Sequence, residues 1–166
     1  MKRKTLLVKN IGLYLFLIAG SIHSLFTFYW TFGGNLGLIT VGDWTIQFKQ
    51  NYGIKFLIIL LFVGIFKLTA TWTPYILNFK ENKLIIIISY IGGIILFIYG
   101  GLNMISGWLK LLGVIDVNFK LSIIGQAFIW DPLFLLWGLG LLIFLNGTRK
   151  LNYWFRHKRF VEKAIH

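Results

Sequence analysis

Four long apolar runs separated by short polar stretches organise this chain. The first extends from Ile11 to Phe32, the second from Gly53 to Trp72, the third from Leu84 to Trp108 and the fourth from Leu121 to Leu145. A helix crossing a hydrocarbon core of about 30 Å needs about 20 such residues. The fourth run reaches that length only with Gln126 and Asp131 inside it. The pattern predicts an all-α polytopic membrane protein, with four transmembrane helices in one antiparallel bundle. It forms a single domain, residues 1–166, with spans at about 11–32, 53–73, 84–108 and 127–146 and a basic cytoplasmic tail at 147–166. Trp130-Asp131-Pro132 reads as a helix start, because Asp caps helix N-termini and Pro suits the first turn. A helix from Pro132 to Asn146 is short for a span, so the residues before it are expected to enter the interface or to add a broken turn.

Helical phase adds faces to these spans. At 100° per residue, Gly12, Ala19, His23, Thr27 and Trp30 share one stripe of the first helix, which turns His23 toward the bundle. In the third helix Ser89, Gly93, Gly100 and Gly107 form a small-residue face of the kind that lets helices approach closely in lipid. Packing alone accounts for these glycines.

Composition agrees with the pattern. The chain is 57% hydrophobic and only 13% charged, more apolar than a soluble core of this length can bury. Its net charge of +12 would suit nucleic acid if the basic residues shared a face, but they flank the apolar runs instead. Lys2, Arg3, Lys4, Lys9, Lys80, Lys83, Arg149, Lys150, Arg156, Lys158, Arg159 and Lys163 lie on one side of the predicted membrane. Lys49, Lys110 and Lys120 lie on the other. The positive-inside rule then places both termini in the cytoplasm of a multi-pass protein of the cell membrane. Met1-Lys2-Arg3-Lys4 opens like a secretory signal, but no small-residue cleavage site closes the segment and a retained helix is expected. The absence of cysteine excludes thiol redox chemistry and Cys-ligated metals. The acceptor-like Asn146-Gly147-Thr148 falls on the cytoplasmic side and reads as chance.

Chemistry must come from polar residues inside the spans, each costing a few kcal/mol in hydrocarbon unless paired or solvated. His23 lies roughly 12 Å below the outer end of its helix, Asn103 somewhat shallower and Asp131 near the surface. A carboxylate accepting from an imidazole fixes its tautomer and raises its basicity, the arrangement of many acid–base sites and proton relays. His23, Asn103 and Asp131 are therefore expected to line one outer-half polar pocket, with Trp30 capping it. Each has a plainer role open to it: an interhelical hydrogen bond for His23, helix adhesion for Asn103, an N-cap for Asp131. Lys67, two turns from the inner end of the second span, is a secondary candidate, either snorkelling to the interface or facing an inner cavity. Catalytic residues are not assignable, and no metal or cofactor motif is present. The loop Gly33 to Tyr52, with four glycines, is either a lid over the outer mouth or a plain exposed loop. The tail around Tyr153-Trp154-Phe155 and Arg156 suits an interfacial helix on anionic lipid.

The His23 helix ending in Tyr29-Trp30 and Gly33-Gly34, the third helix closing at Gly107 before Lys110 and Gly113, and the fourth opening with Asp131-Pro132-Leu133 together resemble a family of small bacterial four-helix membrane proteins of unknown function. In that pattern the third helix carries an Arg near its outer end, where this chain has Asn103. The resemblance implies the fold and no reaction. Two classes of function stay open. One is a protein holding a lipid or small apolar ligand in an outer-half cavity, and the other is a small membrane enzyme or proton-coupled carrier using His23 and Asp131. Membrane lipids are the expected partners, a small ligand and a second copy of the chain remain open, and nucleic acid is excluded.

Overall fold

The computed structural model describes residues 2–115 and 120–165, apart from the side chains of residues 2, 120 and 152–165. Its helices are α1 (Lys2–Thr31), α2 (Asp43–Tyr52), α3 (Ile54–Trp72), α4 (Lys83–Leu111), α5 (Lys120–Gly125) and α6 (Asp131–Ile165). Short 3₁₀ segments lie at Leu38–Thr40 and Thr73–Asn78, and a π-helical turn at Gln126–Trp130 precedes α6. Four stretches, Arg3–Thr31, Ile54–Asn78, Lys83–Leu111 and Leu121–Leu151, are long and apolar enough to cross a membrane. The protein is an all-α polytopic membrane protein, its spans alternating in direction within one bundle.

Local chemistry sets where the helices stop. Gly33 takes φ 95° just past α1, and the bonds Gly33 N to Trp30 O (3.1 Å) and Gly34 N to Tyr29 O (2.9 Å) close a Schellman motif. The same closure ends α4, where Gly113 has φ 76° and Val114 N reaches Leu109 O at 3.0 Å. At the start of α4 the Asn82 side chain accepts from Ile85 N at 3.1 Å.

The fourth span differs from the expected helix start. Helical backbone runs from Lys120 through the π turn into α6, and Asp131 itself is helical at φ −74°, ψ −38°. Asp131 is thus not an N-cap. A Pro inside a helix lacks the N–H for its own turn and crowds the carbonyl four residues back. The widened turn just before Pro132, where Asp131 N bonds to Gln126 O, takes up that misfit without ending the helix.

α1 and α6 form the centre of the bundle. Phe16 and Phe144, both fully buried, meet with ring centroids 5.3 Å apart, and Leu13, Ala19, Trp137 and Leu141 fill in around them. The backbones touch where Gly12 and Gly140 cross. A Cβ on Gly12 would lie 2.8 Å from Gly140 O, and one on Gly140 would lie 2.6 Å from Phe16 N. The glycine face of α4 packs on α6 in the same way, with Gly93, Gly100 and Gly107 buried and Gly138 of α6 set against the α4 backbone. α3 lies on the far side of α1, with Gly64 against Phe28. In their most apolar windows α1 and α6 are each 44% buried, whereas α3 and α4 are 17% buried and present most of their surface outward.

The loop after α1 folds back onto the bundle. Leu38, only 1% exposed, joins Trp30 and Trp130 in a second buried cluster, and α2 follows it over the end of the bundle away from the termini. The tail side chains from Tyr153 to Lys163 lie outside the described residues, as do residues 116–119 between α4 and α5.

Candidate functional site

Three helices bring His23, Lys67 and Asp131 to one cavity. The antiparallel register of α1 and α3 sets Lys67 level with His23 and Thr27, and the Lys67 Nζ lies 3.1 Å from His23 Nδ1 and 3.1 Å from Thr27 Oγ1. Thr27 in turn donates to His23 O at 2.9 Å. An ammonium has hydrogens to give and no lone pair, so Nδ1 accepts and the imidazole proton sits on Nε2. That Nε2 is buried with no partner among the described residues. The His23 ring rests against Phe134 at 4.1 Å and Trp130 at 5.8 Å between centroids, and Lys67 Nζ stands 5.7 Å from the Phe134 centroid, within cation–π range.

Asp131 reaches the cavity from the first turn of α6. It is 5% exposed, and its Oδ2 has no hydrogen-bond partner among the described residues. One cavity of about 390 Å³ is lined by His23, Lys67 and Asp131 together with Trp30, Tyr99 and Gln126. Burying a carboxylate oxygen and an imidazole N–H unpartnered is costly, and π turns within helices occur often where a functional side chain is being placed. Here the π turn ends at the residue before Asp131.

The folded-back loop roofs the cavity and is tied down at several points. Trp30 Nε1 donates to Leu36 O at 2.9 Å, Trp130 Nε1 to Thr40 Oγ1 at 3.0 Å and Gln126 Nε2 to Val41 O at 3.0 Å. Trp44, Thr45 and Phe48 of the loop and α2 form the inner surface of the roof. Thr45 is held by its hydroxyl, 2.6 Å from Gly42 O and 3.0 Å from Leu38 O. Lys49 bonds Asn35 Oδ1 at 2.6 Å across the outside. The loop is a lid.

Of the residues singled out in the sequence, His23, Trp30, Asp131 and Lys67 line this cavity and Asn103 does not. The Asn103 amide donates to Tyr99 O of its own helix at 3.0 Å. Its helix has spent the adjacent glycine face on backbone contact with α6, which leaves no opening between them for an amide. Lys67 neither snorkels to the interface at the Pro74 end of its span nor faces a cavity at that end. It turns to His23, where an acceptor and an aromatic face are within reach. Thr27, Tyr99 and Gln126 were not among the candidates. Thr27 shares the His23 stripe, Gln126 is a polar residue that the fourth span has to include, and Tyr99 is a mid-span phenol beside Gly100. Those are the signals by which they are found.

Among the described residues no three His, Asp or Glu side chains converge as metal ligands would. No curated protein and no solved structure matches the chain. The family model "Protein of unknown function (DUF3995)" matches residues 20–141, a segment that begins three residues before His23 and ends in α6 past Asp131, and the chain belongs to that family.

Proposed function

We propose that this protein holds a small lipid or other amphiphilic ligand in the outer half of the cell membrane, both termini facing the cytoplasm. The observation that carries the reading is the chemistry of the roofed cavity. Its walls are mostly aromatic and aliphatic, and against them stand the Lys67 cation and two buried groups without a partner among the described residues, the imidazole N–H of His23 and a carboxylate oxygen of Asp131. A mostly apolar hollow with a few convergent polar groups is the general form of a small-molecule site. Membrane lipids then supply both the surroundings and the ligand.

The test is the composition of the purified protein. Mass spectrometry of the small molecules carried through purification is expected to find one class enriched in the wild type and absent from His23→Ala, with the variant still inserted and folded. Equal recovery from both proteins would overturn the reading. Loss of insertion in the variant would assign His23 to helix packing, in which case Lys67→Met, at the same wall, decides the question by the same measurement.

A further inference from the structure

Inward of the polar groups the same helices enclose a second space. It measures about 280 Å³ and lies between α3 and α4 over α6, with Ala70 on one side, Gly92 and Leu96 on the other, and Trp137 and Leu141 as its floor. It lies next along the same helices as the outer cavity, with no lining residue in common. α3 gives Val63 and Lys67 to the cavity, then Phe66 and Ala70 to the slot; α6 gives Asp131 and Phe134, then Trp137 and Leu141. Where the two adjoin, Phe134 of the cavity and Trp137 of the slot stack with centroids 6.3 Å apart and planes 10° from parallel, and a chain passing from one to the other runs alongside this pair.

The slot follows from the helix order. α3 packs on α1 and α4 on α6, and the outer pair is left apart. Phe66 and Ile88 on the two rims are 72% and 60% exposed, so the opening faces the membrane. Around Gly92 the slot is empty enough that a Cβ built there meets nothing within 4 Å. Hydrocarbon is the available filling for an apolar space open to a bilayer.

We infer that the ligand is a single-chain amphiphile whose head carries both an anionic group and a hydrogen-bond donor, the head lying at Lys67, His23 and Asp131 and the chain running inward through the α3–α4 slot. This rests on the outer-cavity reading and adds the ligand class and its route of entry. Lys67 has three N–H groups, of which two go to His23 and Thr27, so one remains for an anion. The N–H at His23 Nε2 is a second donor, and the Asp131 carboxylate, apart from both, calls for a hydroxyl or ammonium. Trp137, whose buried indole N–H has no partner among the described residues, forms the floor on which the chain rests. The lateral gap admits such a molecule from the membrane without lifting the lid.

The experiment compares binding of two lysophosphatidylethanolamines, one with a sixteen-carbon and one with an eight-carbon chain, by native mass spectrometry of the intact protein. The wild type is expected to bind the long-chain probe about tenfold more tightly, a difference of about 1.4 kcal/mol. Gly92→Phe, which fills the slot from a position with open space before it, is expected to erase that preference. Gly92→Leu does the same if the larger plug fails to purify. Lys67→Met is expected to weaken both probes alike. A chain-length preference that survives the plug overturns the slot as the chain site and leaves the outer-cavity reading standing. Binding of neither probe to the wild type, or binding indifferent to Lys67→Met, overturns both.

Discussion

Lys67 of α3 and His23 of α1 meet across their helix interface, Nζ to Nδ1 at 3.1 Å, and this contact orients the imidazole so that its proton is carried on Nε2. Lys67→Met keeps most of the volume and removes the charge. The change relieves the burial of a charge but leaves His23 Nδ1 without its donor, two opposing effects of about 1–3 kcal/mol each, so thermal stability in detergent is expected to change little while retention of the ligand falls about tenfold. A loss of stability above about 2 kcal/mol, more than a typical interhelical hydrogen bond in a membrane is worth, would make Lys67 structural glue.

Period and length made the fold legible. The four apolar runs correspond to the spans, and the Gly93, Gly100 and Gly107 stripe lies buried because backbone contact in lipid needs small residues at a fixed helical phase. The polar site was legible only in part. Phase places His23, Thr27 and Trp30 on an inward face, but it does not set the register between helices, and that register decides that Lys67 rather than Asn103 meets His23. The fourth span misled for a local reason. Asp131-Pro132 has the chemistry of a helix start, and a π turn lets the chain carry the Pro inside a continuous helix.

The crossing of Gly12 and Gly140 leaves no room for a side chain. Gly140→Ala would place a Cβ 2.6 Å from Phe16 N, a backbone atom that cannot step aside, and overpacking of this kind costs about 1–3 kcal/mol. Gly92→Ala, where the added carbon meets nothing within 4 Å, is expected to be neutral or to stabilise by up to about 1 kcal/mol through helix propensity. Thermal unfolding of both variants in one detergent checks the contrast. Equal effects would show that the α1–α6 contact is looser than described.

The lid depends on Trp130. Trp130→Phe keeps an aromatic ring against Trp30, Phe26 and His23 and deletes the N–H that holds Thr40 Oγ1, together with part of the indole packed under the loop. The hydrogen bond alone contributes about 1 kcal/mol and the lost packing adds to it, so opening of the loop should become at least about fivefold more frequent. Limited trypsin digestion, read at Lys49, is expected to accelerate by a similar factor with no change in the cleavage pattern elsewhere. An unchanged rate would mean that the bonds from Trp30 to Leu36 and from Gln126 to Val41 suffice to hold the lid.

Four alternating spans put both ends of the chain on the same side of the membrane, so a single choice fixes the whole topology. The charge pattern is expected to make that choice: twelve basic residues flank the spans on the side of the termini, against Lys49, Lys110 and Lys120 on the other. Reporter fusions at Asn51 and Asn118 are expected to read as external, and fusions after Lys4 as cytoplasmic. Exchanging Lys2, Arg3, Lys4 and Lys9 for Gln removes four of the twelve and leaves the Lys80, Lys83 and tail positions. The bias then still favours the same orientation, and the external signal at Asn51 should fall only in part. Cytoplasmic signals at both Asn51 and Asn118 in the unaltered protein would invert the orientation and place the His23, Lys67 and Asp131 cavity in the inner half of the membrane.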